Sequence, residues 1–184
     1  RVIKTQDAGL QSIDYTYDPR GHLSTIKLGT GVDERLFTFA YNPEGFLASI
    51  TDPLGQVTSY QYAAAGNVTR ETRPDAQFVQ YQYDANGNIT SLTPPGGSSH
   101  LFTYTPLDFM SSYTAPNVGG GATTTFAYDQ DRAWISTLRP DGLSLTGAYD
   151  NGGRLITVTL PSGQLTSTYD AAGRPATITA PGGL

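Results

Sequence analysis

Residues 83–97 read YDANGNITSLTPPGG. An acid follows Tyr83, Gly87 stands four residues after that tyrosine, a β-prone run comes next, and a Pro-Gly pair closes the stretch. A catalytic or metal-binding loop occurs once in a chain, whereas a building block recurs. This one recurs eight times, as Tyr17-Asp18, Tyr41-Asn42, Tyr62-Ala63, Tyr83-Asp84, Tyr104-Thr105, Tyr128-Asp129, Tyr149-Asp150 and Tyr169-Asp170. The tyrosine-to-tyrosine steps are 24, 21, 21, 21, 24, 21 and 20 residues. Gly21, Gly45, Gly66, Gly87, Gly153 and Gly173 each stand four residues after their tyrosine, and Asp108 and Arg132 take that place in the fifth and sixth copies. Twelve residues after the tyrosine come Pro53, Pro74, Pro95, Pro116, Pro140, Pro161 and Pro181. Self-similarity at a fixed period of roughly 20 to 50 residues marks a repeat architecture, and it outranks any single-motif reading.

Each copy spells strand, turn, strand, turn. Tyr81 and Tyr83 are two apart and share one face of a strand; Tyr15/Tyr17, Phe37/Phe39/Tyr41, Tyr60/Tyr62, Phe102/Tyr104 and Phe126/Tyr128 repeat the spacing. The turn Asp84-Ala-Asn-Gly87 places at its first position a side chain able to bond its own backbone, and at its last a glycine suited to positive φ. A second strand follows, as in NITSLT from Asn88, and a Pro-x-Gly turn reverses the chain again. No stretch of 11 or more residues carries helical apolar spacing without Gly or Pro. The expected fold is therefore all-β: tandem antiparallel hairpins forming one long sheet of about sixteen strands. A twisted open sheet of more than about ten strands curls, so a curled or spiralling ribbon is expected over residues 1–184.

Six residues after the repeat tyrosine stand Leu23, Leu47, Val68, Ile89, Met110, Trp134 and Leu155; nine after it stand Ile26, Ile50, Leu92, Tyr113, Val158 and Ile178. An odd separation sends the two sets to opposite faces of a regular strand. Either both faces are partly covered or a bulge restores one face. Arg132 is a poor occupant of a positive-φ position unless its turn has changed type. Two Pro-side loops are lengthened, at KLGTGVDER after Ile26 and NVGGGATTT after Pro116, and loops of this kind are where protein-specific contacts concentrate.

Composition narrows the function classes. Hydrophobic residues make up 38% and charged residues 15% of the 184 positions, both low for a globular chain; Tyr, Thr, Ser and Gln take their place, which suits pleated surfaces. A net charge of -5 with scattered Lys and Arg opposes nucleic-acid binding, which needs clustered cations. The absence of cysteine excludes disulfides and thiolate metal sites. No run approaches the roughly 18 apolar residues that span a bilayer as a helix. Both ends fall within the repeat register and lack the capping repeats that close solenoid-like arrays, so the chain reads as a fragment of a longer protein.

The tandem YDxxGxLxxxxxPxG unit resembles the YD repeat, also called the RHS repeat. The copies at Tyr83–Gly97, Tyr128–Gly142 (YDQDRAWISTLRPDG) and Tyr149–Gly163 (YDNGGRLITVTLPSG) carry the resemblance best, and it covers almost the whole chain. In proteins of this kind the repeats form a β-ribbon that spirals into a hollow shell. Bacterial Rhs polymorphic toxins and insecticidal Tc complexes enclose a C-terminal toxic domain in it, and teneurins carry it outside the cell. The resemblance implies a non-enzymatic structural segment of a secreted or surface protein, bacterial in origin, whose partners are the rest of the shell and an enclosed C-terminal domain. It implies no cofactor and no repeat-borne active site. Some members cleave themselves with an aspartyl protease in the segment that closes the shell. The nearest match here, TDPLGQ at Thr51–Gln56, lies in the repeat register and lacks the accompanying aromatic block, so that activity is not carried over.

The sharper readings of single residues weigh less than the plain ones. A calcium ladder along the aspartates would need six to eight oxygens per ion, yet the same place accepts Asn42, Ala63 and Thr105; turn formation is the better reading. His22 and His100, the only histidines, sit at different repeat phases without a catalytic or zinc motif and read as solvated. Asn67-Val-Thr69 and Asn88-Ile-Thr90 match the N-glycosylation acceptor, but they share a repeat place that His22, Phe46 and Arg154 also occupy. Aromatic rows could stack on sugars, so a module binding glycans or a cell-surface partner is the alternative function; recurrence in nearly every copy favours cross-strand pairing instead. Open strand edges at both ends, with only Arg1 and Lys4 near one of them and Pro181-Gly-Gly at the other, predict self-association.

Overall fold

The computed structural model describes residues 3–5, 11–116 and 123–182; Arg1, Gly183 and residues 117–122 of the second long loop lie outside the described residues. The described residues hold 17 strands and one 3-10 turn, Gly31–Asp33. They fall into two compact units, Arg1–Gly97 and Ser98–Leu184. The first contains β1 (Lys4–Thr5), β2 (Ile13–Tyr17), β3 (Leu23–Leu28), β4 (Arg35–Tyr41), β5 (Leu47–Thr51), β6 (Val57–Tyr62), β7 (Val68–Thr72), β8 (Phe78–Tyr83) and β9 (Ile89–Thr93). The second contains β10 (His100–Tyr104), β11 (Met110–Thr114), β12 (Thr123–Tyr128), β13 (Trp134–Leu138), β14 (Ser144–Tyr149), β15 (Leu155–Leu160), β16 (Gly163–Tyr169) and β17 (Pro175–Thr179). Within each unit every strand pairs antiparallel with the next in sequence.

Local turn chemistry sets this meander. In the turn after Tyr83, Gly87 N–H donates to the Asp84 carbonyl at 3.2 Å and Asp84 N–H donates to the Asn88 carbonyl at 3.0 Å, with Gly87 at φ 89°. That is a three-residue hairpin loop, in which a β-turn ends on a left-handed residue. The proline turns use the same scheme: Gly55 N–H reaches the Asp52 carbonyl at 3.0 Å and Asp52 N–H the Gln56 carbonyl at 2.9 Å, and Pro53 presets φ at the second position. The turn at Arg132 has not changed type. Arg132 N–H donates to the Asp129 carbonyl at 3.1 Å and Arg132 itself stands at φ 68°, as Asp108 stands at 63°. The Pro161 turn does differ, because Leu160 pairs directly with Gly163 and leaves a two-residue loop.

A bulge recurs in all eight copies and settles the face question. Gln82 pairs with Ser91, but Tyr83 pairs with Ile89, so Thr90 is the extra residue. The same shift occurs beside Tyr17, Tyr41, Tyr62, Tyr104, Tyr128, Tyr149 and Tyr169. One inserted residue offsets the odd spacing: Ile89 lies opposite Tyr83 and Leu92 opposite Tyr81, and all four share a face. The other face carries hydroxyls, with Thr16 bonded to Ser24 and Thr25 at 2.8 and 2.6 Å and Thr103 to Ser111 and Ser112 at 2.8 and 2.6 Å. Among the described residues only Gly29, Val79 and Ser91 are buried, so Val79, at 9% exposure, is the one buried hydrophobic side chain. Each unit is thus a sheet with a half-covered aromatic face, not a layered core.

Candidate functional site

The repeated tyrosine, the turn and the residue just after the turn meet where consecutive copies join. The aspartates commit their oxygens to their own turns. Asp84 Oδ1 accepts from the N–H groups of Asn86 and Asn88, both at 2.9 Å. Asp150 Oδ1 accepts from Gly152 and Arg154 N–H at 2.9 and 3.0 Å, and its Oδ2 holds the Arg154 guanidinium through Nε at 2.8 Å and Nη2 at 2.7 Å. Asp170 treats Ala172 and Arg174 alike. Asp18 takes His22 N–H at 2.7 Å, and Asp129 takes Ala133 N–H at 2.9 Å. Asn42 and Thr105 supply the same acceptor to Phe46 and Phe109, while Ala63 leaves its turn to backbone bonds alone.

These bonds favour the charged carboxylate. The Asn88 side chain and N–H hold Asp84 below the ordinary aspartate range. The Arg154 side chain and N–H do so for Asp150, and the N–H and side chain of Arg174 for Asp170. Among the described residues no three His, Asp or Glu side chains gather as a metal site, and no helix is long and apolar enough to cross a membrane.

The tyrosines reach into the preceding copy. Tyr83 Oη donates to the Val68 carbonyl at 2.7 Å, Tyr62 to Leu47 at 2.8 Å and Tyr41 to Leu23 at 2.9 Å. Tyr128, Tyr149 and Tyr169 do the same to Met110, Trp134 and Leu155 at 3.0, 2.8 and 2.9 Å. Each acceptor is the first residue of a bulge. The β7–β8 ladder runs only from Thr72↔Phe78 to Arg70↔Gln80, and Tyr83 takes up the Val68 carbonyl beyond its end, where an orphaned group would be costly. Tyr17 and Tyr104 occupy the same repeat place. Burial raises the pKa of Tyr41 and Tyr83 above the usual tyrosine value, with Asp18 and Tyr81 adding to the effect respectively.

In four copies the residue after the turn stacks on the tyrosine of the next copy. His22 lies on Tyr41 with centroids 4.6 Å apart, Phe46 on Tyr62 at 5.0 Å, Phe109 on Tyr128 at 5.1 Å, and the Arg154 guanidinium over Tyr169 at 5.0 Å. The turn glycines make room for these groups. A Cβ on Gly66 would meet the Phe46 ring at 2.9 Å, one on Gly45 the His22 ring at 3.4 Å, one on Gly173 the Arg154 guanidinium at 3.4 Å, and one on Gly87 the Asn67 amide at 3.6 Å. Gly21 and Gly153 take the same left-handed turn position, at φ 95° and 74°. The histidines are therefore partnered, not solvated as expected. His22 is held by Asp18 and Tyr41, and His100 Nδ1 lies 2.8 Å from Tyr113 Oη. Asn88 of the second acceptor motif donates its amide to Asp84 Oδ2 at 3.1 Å.

Reading the aromatic rows as cross-strand pairs missed the hydroxyl clasp. The signal was available: tyrosine fills the repeat place in all eight copies, whereas the position two before it also takes Phe39, Phe102 and Phe126.

A meander of bulged hairpins, clasped copy to copy by tyrosine, defines a tandem β-hairpin repeat protein. The chain belongs to the Teneurin YD-shell family, whose model matches residues 1–180. Its fold is similar to that in a structure of the Photorhabdus luminescens Tc holotoxin pore, with a TM-score of 0.64 at 15% identity over 92% of this chain and 12% of that one. A crystal structure of TcdB2-TccC3 gives a TM-score of 0.59 at 15% identity over 98% of this chain and 13% of that one. A crystal structure of TcdB2-TccC3-Cdc42 gives 0.59 at 15% identity over 98% and 12%. The chain thus spans about an eighth of the length of these structural relatives. No curated protein matches it. The chain is a structural segment of a YD-shell.

Proposed function

We propose that this segment is part of the wall of a shell that encloses, or presents, an effector domain lying C-terminal to the repeats in a secreted or surface protein. One observation carries the reading: the aromatic faces of β2–β9 and β10–β17 are only half covered, with Val79 the one buried hydrophobic among the described residues. A wall has an inner face that something else must occupy, whereas a self-sufficient domain buries that face against a second layer. The Tc toxin likeness supports the same reading at the level of fold. Residues 1–184 act as one array in it, since the 21-residue step from Tyr83 to Tyr104 keeps the repeat phase through the junction of the two units. The wall is non-catalytic; its partners are the remaining repeats and the enclosed domain.

The test is protease protection in the full-length gene product. The segment after the repeats should survive a protease that digests the same segment expressed alone. Equal digestion in both settings would defeat enclosure.

A further inference from the structure

We propose that the aromatic face of β10–β12 carries a binding site for a neutral sugar ring, formed by His100, Phe102 and Tyr113 with Thr124 at its edge. The site breaks the repeat. Nine residues after the repeat tyrosine, the other seven copies place Ile26, Ile50, Glu71, Leu92, Thr137, Val158 and Ile178, and only the fifth places an aromatic, Tyr113. Aromatics that only pair strands recur with the repeat; a binding site is local.

The geometry makes a plate. Phe102 lies directly opposite Tyr113 in the β10–β11 pairing, with ring centroids 5.4 Å apart and planes inclined by 30°. His100 and Tyr113 are nearly parallel, at 14° with centroids 5.9 Å apart. The 2.8 Å contact between His100 Nδ1 and Tyr113 Oη joins them edge to edge. Thr124 lies opposite Tyr113 on the other side, so its side chain stands on the same face within about 5 Å. All four residues are partly exposed. When Nδ1 of His100 accepts the phenolic proton, Nε2 carries the imidazole N–H, and Nε2 has no partner among the described residues.

The chemistry selects the ligand class. Flat aromatic surface offers an apolar platform with a partly negative face, and imidazole N–H and threonine hydroxyl offer neutral donors and acceptors at its rim. Strands β10, β11 and β12 contain no Asp, Glu, Lys or Arg, so nothing there pairs with a phosphate, a carboxylate or an ammonium group. A pyranose ring has the matching pattern, with one face of C–H groups and an equator of uncharged hydroxyls. The site stands independently of the shell reading, since it uses only side chains within one unit.

Saturation-transfer difference NMR on the 184-residue chain, with cellohexaose, xylohexaose, mannohexaose and N-acetylchitohexaose as probes, tests the site. At least one hexasaccharide should show transfer to its ring C–H protons. Tyr113→Leu installs the residue that the fourth copy carries at this place, so it preserves the strand, which circular dichroism verifies; it should weaken binding about tenfold. Phe37→Leu, on the same kind of face in the other unit, should leave binding unchanged. No transfer from any of the four sugars, or binding that Tyr113→Leu leaves untouched, overturns the site.

Discussion

The hydroxyl of Tyr83 donates to the carbonyl of Val68, 15 residues earlier and in the preceding repeat, at 2.7 Å. It closes a gap that backbone pairing cannot close, because the bulge next to Tyr62 sets Val68 out of step with β8. Tyr83→Phe keeps the ring and removes only this bond, so it should cost about 1 kcal/mol and lower Tm by about 2–4 °C in a chain of this size. Tyr81, on the same face without such a bond, is the control. Equal effects of Tyr83→Phe and Tyr81→Phe in thermal unfolding would show that the hydroxyl does not act as a clasp.

The glycine at the turn serves two demands, and substitution separates them. Gly66 and Gly55 both stand at positive φ, 88° and 77°. An added Cβ meets Phe46 at 2.9 Å in the first case and nothing within 4 Å in the second. Gly55→Ala should lose about 1–2 kcal/mol from the left-handed backbone alone. Gly66→Ala should lose more, by displacing Phe46 from Tyr62. In a Phe46→Ala background the two substitutions should cost the same, as measured by urea midpoints.

Arg132 occupies at φ 68° a turn that six other copies give to glycine. Replacing it with glycine relieves about 1–2 kcal/mol of left-handed strain, partly offset by roughly 0.5–1 kcal/mol of added freedom in the unfolded chain. Arg132→Gly should stabilise by about 0.5–1 kcal/mol, while Gly87→Val should destabilise. A loss of stability on Arg132→Gly would mean that the side chain contributes more than its backbone strain costs.

Acid should weaken the fold through its turns. Asp84, Asp150 and Asp170 have folded pKa values below the unfolded value of 3.8, so the unfolded chain takes up protons first as pH falls. Their contribution is complete well above pH 3.8 and disappears as pH drops through the lower folded values. Alkali acts through the clasps. Tyr41 and Tyr83 have folded pKa values above 10.0, so their contribution is complete below about pH 10 and lost as pH rises through the raised values. Urea midpoints across pH 2–12 should form a plateau falling at both ends, and Asp84→Asn should flatten the acid limb.

Turn chemistry acts over four or five residues, which is why so much of the fold was legible. Pro53 presets φ, Asp84 accepts from its own loop, Gly87 takes the left-handed position, and alternation places Tyr81 and Tyr83 on one face. Those facts determined the hairpin meander and its period, and with them the family. Of the relation between copies the sequence carried only a hint, the tyrosine kept in all eight repeat places; its partners lie in the preceding copy, and spacing alone does not name them. Only the folded chain decided that Thr90 is the bulged residue and that Ile89 and Leu92 consequently face the same way. The same register brings the Tyr83 hydroxyl to Val68 and leaves Phe46 between Gly66 and Tyr62. Strand register is a collective property of neighbouring copies, fixed by which side chains can pack and which backbone groups still need partners once the strands lie side by side.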